Sequence, residues 1–105
     1  MNNRKKYFAN KLNSPISLLI IEDDINKIKD VVTIENVNNV IFEPLGLTPI
    51  HVAIMVNSNS IIRYLLELGA DINKTNKNNM DCNELAVRYN NEYPRILDEF
   101  IKLNK

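Results

Sequence analysis

The feature that most constrains this chain is self-similarity at a spacing of about 33 residues, because repeated units bury their apolar faces against neighbouring copies instead of in one central core. From Thr48 the chain reads Thr-Pro-Ile-His-Val-Ala-Ile, passes through the polar run Asn57-Ser58-Asn59-Ser60, and continues Ile-Ile-Arg-Tyr-Leu-Leu-Glu-Leu-Gly to Gly69. This pattern predicts two short helices joined by a turn. Thr48 stands at the N-cap of the first, with Pro49 at the position where a missing N–H costs nothing. Ile50, Val52, Ala53 and Ile54 give that helix its apolar side, Ile61, Ile62, Leu65 and Leu66 form one stripe on the second, and Gly69 ends it. A shift of about 34 residues backwards puts Ser14-Pro15 on Thr48-Pro49, Asp23 on Asn57 and Val31-Val32 on Leu65-Leu66. A shift of about 33 forwards puts Asn79 on Gly46, Leu85 on Val52, Ala86 on Ala53 and Asn90 on Asn57. With two extra residues near Asn91 to Pro94, Ile96, Leu97, Phe100 and Ile101 then fall on the second-helix stripe. Three helix pairs are expected, with connections at about 33 to 48 and 71 to 80.

The segment Gly46-Leu47-Thr48-Pro49-Ile50-His51-Val52-Ala53, followed by Leu65-Leu66-Glu67-Leu68-Gly69-Ala70-Asp71-Ile72-Asn73, closely resembles the ankyrin repeat, a 33-residue unit of helix, turn, helix and hairpin loop. The flanking copies match less. The first keeps a Ser-Pro start and the apolar spacing, and the third has Asp81-Cys82-Asn83-Glu84 where Thr-Pro-x-His would stand. The resemblance implies an all-α ankyrin-repeat solenoid of three helix-turn-helix units with degenerate capping repeats. The expected division is an N-terminal arm over 1–11 and a repeat domain over 12–105, with repeats at about 12–45, 46–78 and 79–105.

Composition narrows the functional classes. A chain of 105 residues fits one small domain, too small for an enzyme with a deep cofactor cleft. Thirteen basic and thirteen acidic side chains cancel, which removes the attraction that nonspecific nucleic-acid binding or docking on an anionic membrane requires. No apolar run approaches the roughly 20 residues of a membrane span. The lone Cys82 cannot form an internal disulfide and suits a reducing compartment, so a cytoplasmic location is expected. Arg4-Lys5-Lys6 is not followed by the apolar core of a signal peptide, and the segment reads as a solvated arm. The many Asn residues are interleaved with regular apolar positions, unlike a disordered tract.

Candidate chemistry is sparse. His51 has no second His and no metal-ligand motif beside it, so no metal site is expected there; as in ankyrin repeats, its imidazole is expected to hydrogen-bond Thr48 and neighbouring backbone at the hairpin-to-helix corner. Cys82 with His51 would be the nucleophile and base of a small Cys-dependent enzyme, but no oxyanion site or orienting residue accompanies them. Glu22-Asp23-Asp24 is better placed to cap the helix that follows than to bind a metal. Gly46 lacks the companions of a phosphate loop and serves a turn. No catalytic residue, metal or cofactor is expected.

The resemblance also implies a concave protein-contacting surface made of hairpin tips and the exposed side of each first helix. Carried over by position, its residues are Ile21 and Glu22, then Leu45, Leu47, Met55 and Val56, then Lys77, Asn78, Met80, Arg88 and Tyr89. Leu45, Leu47, Met55, Val56, Met80 and Tyr89 would form an apolar patch of the kind that marks an interaction site, unless the ends of the chain, in particular Val37 to Phe42, fold over it. The expected function is a noncatalytic protein-protein interaction module that binds one partner protein, and neither nucleic acid nor membrane. With no second domain to deliver, binding itself would block or neutralise the partner, as toxin-neutralising immunity proteins do. The alternative is a host-targeted inhibitor or effector of viral or bacterial origin.

Overall fold

The computed structural model describes residues 3–104. Among the described residues seven α-helices follow one another: α1 Asn3–Lys11, α2 Pro15–Ile21, α3 Ile25–Val31, α4 Pro49–Met55, α5 Asn59–Glu67, α6 Cys82–Arg88 and α7 Tyr93–Leu103. From α2 onward they form three antiparallel pairs, α2 with α3, α4 with α5 and α6 with α7. Each inner helix packs on the next, α2 on α4 and α4 on α6, and α5 packs on both α3 and α7. The particle measures 39 × 29 × 25 Å.

Local sequence explains the helix ends. Pro15, Pro49 and Pro94 open three of the helices, where a missing N–H is harmless. Asp24 caps α3 by accepting from the Lys27 N–H at 3.1 Å, and Asp81 and Glu84 cap α6 reciprocally, at 3.0 and 3.2 Å. The turn inside each pair passes through a left-handed residue: Asp23 (φ 58°), Asn57 (φ 59°) and Asn90 (φ 52°). Asn and Asp tolerate that region better than other residues with a Cβ.

Stacking of the pairs makes the core. All seven residues of α4 are buried, as befits a helix with neighbours on every side. Ile61, Ile62, Leu65 and Leu66 of α5, and Leu85, Ala86, Tyr93 and Ile96 of the third pair, complete the stack. Polar links reinforce it: the Tyr64 hydroxyl donates to the Val32 carbonyl at 2.8 Å, and the Asp23 carboxylate accepts from the Ser58 and Ser60 hydroxyls.

One expectation requires correction, and one alternative can be checked. Residues 3–11 are not a solvated arm but a helix, with Phe8 and the following Leu12 buried, because Arg4, Phe8 and Leu12 recur every fourth residue and turn one face toward the stack. The alternative in which a chain end covers the concave patch does not hold for Val37 to Phe42, although the N-terminal helix does lie against Met55 and Tyr89. Val37 is buried in the core, and Ile41 and Phe42 pair with Leu47 in a hairpin.

Candidate functional site

The concave side is built on two hairpin-like turns. In the first, the Ile41 N–H donates to the Leu47 carbonyl at 2.7 Å and the Leu47 N–H to the Phe42 carbonyl at 3.1 Å, while Gly46 takes φ 64° at the tip. In the second, the Asn76 carboxamide oxygen accepts from the N–H groups of Asn78 (2.8 Å) and Met80 (3.1 Å), and Asn79 takes φ 60°. The two turns are joined by the Lys77 N–H, which donates to the Leu45 carbonyl at 3.0 Å.

His51 fixes the corner where the first hairpin enters α4. Its Nδ1 accepts from the Thr48 N–H at 3.0 Å, which places the ring proton on Nε2, and Nε2 donates to the Lys74 carbonyl at 2.9 Å. Burial lowers its pKa below the usual imidazole value, although the bond to Lys74 opposes the shift. Neither nitrogen is left over for a substrate. Burial, assisted by the charge of Asp81, pushes the Cys82 thiol up to about 12, so it rests protonated beside the Tyr93 hydroxyl, which is itself shifted upward, first by burial. A protonated, buried thiol is a poor nucleophile. Asp24 is engaged as a cap and Asp23 with two serines. Among the described residues, no three His, Cys, Asp or Glu side chains converge to hold a metal ion.

The structure brings seven of the sequence-derived surface positions together. Leu45, Leu47, Met55, Asn78, Met80, Arg88 and Tyr89, with Asn76 and Leu85, line a groove of about 190 Å³ between the second hairpin and α6. The Arg88 guanidinium carbon lies 6.0 Å from the centroid of the Tyr89 ring. Lys77 and Glu22 are exposed and Val56 is half-buried, outside this groove.

Three positions expected on the open surface are buried: Ile21 (2% exposed), Leu47 (0%) and Met55 (5%). Leu47 is drawn inward by closure of its hairpin. Ile21 belongs to α2, against which α1 packs, and Met55 lies beside Phe8 and Leu12. The residues that sequence reasoning missed are those of α1. Phe8 sets its ring 6.0 Å from that of Tyr89, and Arg4 donates to the Met55 carbonyl at 3.2 Å. Their signal is the four-residue spacing of Arg4, Phe8 and Leu12, which is faint because only two of the three are apolar.

Among the described residues no helix is long and apolar enough to cross a membrane. A search of curated proteins finds no match to the chain. The ankyrin-repeat family profile matches residues 45–77, the span from the first hairpin tip through α4 and α5 to the second hairpin. Ankyrin repeats mediate protein-protein binding and are generally noncatalytic. With that match at the centre of a stack of three pairs that is all-helical among the described residues, residues 45–77 form an ankyrin repeat and the fold is that of an all-α ankyrin solenoid.

Proposed function

We propose that this chain is a noncatalytic module that grips one partner protein through the concave side of its second and third repeats, and that the binding event itself blocks or neutralises the partner. The observation that carries the reading is the groove in which Met80, Arg88 and Tyr89 stand together over buried Leu85. A half-buried Tyr beside Met80, with an exposed Arg at the edge of a groove of mixed polar and apolar lining, has the composition of an interface anchor. His51 and Cys82 supply no competing catalytic pair, since both imidazole nitrogens are engaged and the thiol is held protonated. The lone, buried thiol also supports a reducing, cytoplasmic setting. We assign residues 12–45, 46–78 and 79–105 to the three repeats.

The test is affinity capture of the partner from the source cells, followed by binding measurements on variants. Met80→Glu, Arg88→Glu and Tyr89→Ala are expected to weaken binding by more than ~1 kcal/mol each, roughly fivefold, without loss of fold. Asp98→Lys, on the exposed side of α7, is expected to leave affinity unchanged. Loss confined to the α7 variant would move the binding face to the C-terminal cap and overturn the proposal.

A further inference from the structure

Helix α1 occupies part of the concave face, at a place the repeat pattern does not call for. It is attached to the first pair yet reaches the other two, since Arg4 donates to the Met55 carbonyl of α4 and Phe8 meets Tyr89 at the end of α6. The contact is polar as well as apolar. Met55 is the last residue of α4, where a helix leaves unpaired carbonyls and the negative end of its dipole, so a guanidinium is the favoured occupant. The Asn57 carboxamide also faces Arg4, and with its amide turned its oxygen would stand 2.8 and 3.0 Å from the guanidinium nitrogens.

The hold is slight. Phe8 is the one buried side chain of α1, with Leu12 buried at its joint, while Tyr7 remains 57% exposed. A space of about 150 Å³ is left between Tyr7, Phe8, Leu12, Met55 and Tyr89. A nine-residue helix is too short to persist in water by itself, so α1 is helical because it is docked. Segments with so few buried contacts open at a small fraction of the free energy of global unfolding.

We infer that the surface of Leu45, Met55 and Tyr89, which adjoins the groove of Met80 and Arg88, is a receptor for a short basic amphipathic helix with an aromatic anchor and a guanidinium one turn before it, and that α1 is its intramolecular occupant. A partner helix of that chemistry binds by displacing α1, and its apparent affinity is lowered by the fraction of molecules in which that surface is already covered. This rests on the reading of the concave side as the binding face.

A fluorescent synthetic peptide of residues 3–13 tests the inference against the full chain. The peptide is expected to bind the Phe8→Ser protein at least ten times more tightly than the wild type, because the variant no longer covers its own receptor surface. A peptide carrying the same Phe8→Ser change is expected to bind neither. Adding Tyr89→Ala to the Phe8→Ser protein is expected to weaken the complex by a further fivefold or more. Equal affinity for both proteins, or binding to neither, overturns the inference. Should circular dichroism show that the Phe8→Ser chain does not fold, Asn10→Pro takes its place, since Asn10 is exposed and a proline there removes an interior N–H and clashes with the carbonyl one turn before it. Peptide displacement together with a captured partner that ignores Met80→Glu and Arg88→Glu overturns the choice of partner face and leaves the helix receptor standing. The opposite pair of results removes the receptor alone.

Discussion

His51 spends both ring nitrogens on backbone, one receiving the Thr48 N–H and the other donating to the Lys74 carbonyl, and this sets its response to acid. Adding a proton to Nδ1 would place two donors face to face inside a buried corner. The folded-state pKa accordingly lies below the usual value of about 6.5, with desolvation as the first cause. As the pH falls, the unfolded chain takes up the proton first. The stability tied to neutral His51 is therefore fully present above about pH 6.5 and is lost from there down toward the folded pKa, at no more than ~1.4 kcal/mol per pH unit. Thermal melts of the wild type are expected to drop between pH 7 and pH 5.5. His51→Gln is expected to start about 1 to 2 kcal/mol less stable, through lost hydrogen bonds, and to lack that pH-dependent drop. The same slope in both proteins would mean that another group carries it.

At the scale of elements, the hairpin tips decide how closely neighbouring units stack. Gly46 and Gly69 both take positive φ, 64° and 88°, so an alanine at either position meets left-handed strain of about 1 to 2 kcal/mol. Their surroundings differ. A Cβ on Gly46 would sit 3.0 Å from Lys77 Cγ and 3.3 Å from the Lys77 nitrogen that bonds the first hairpin to the second, whereas a Cβ on Gly69 would meet nothing within 4 Å. Gly46→Ala is expected to lower the melting temperature more than Gly69→Ala, and equal losses would show that the two hairpins do not depend on that contact. Much of this was legible in the sequence. The alignment that set Asp23 and Asn90 on Asn57, and Asn79 on Gly46, picks out positions that share a left-handed backbone, because the residues that tolerate such turns are few. Helix α1 was not legible, since Phe8 and Leu12 define an apolar face only once Tyr89 and Met55, far along the chain, are set against them. Burial of Ile21 and Met55 escapes the sequence for the same reason: position within a repeat assumes an open concave face.

For the whole molecule, stacking in one direction implies that stability is unevenly shared, because each pair is secured only by its neighbours. Helix α4 has α2 and α6 on either side and α5 behind, and every one of its residues is buried. Helix α7 has neighbours on one side, buries only Tyr93 and Ile96, and leaves Ile101 and Leu103 48% and 85% exposed. Helix α1 buries one side chain. Protection of backbone amides from hydrogen exchange is therefore expected to fall from α4 and α5, whose amides exchange only through global unfolding, to α7, and to be least in α1. The order distinguishes a stack from a single cooperative core, for which α4 and α7 would exchange with the same free energy. It also bears on the groove. If α1 opens separately, Phe8→Ser is expected to accelerate exchange at residues 4–11 by tenfold or more while leaving α4 unchanged. Parallel acceleration of both helices would make α1 a structural part of the stack, held in place by the same unfolding reaction as the repeats beneath it.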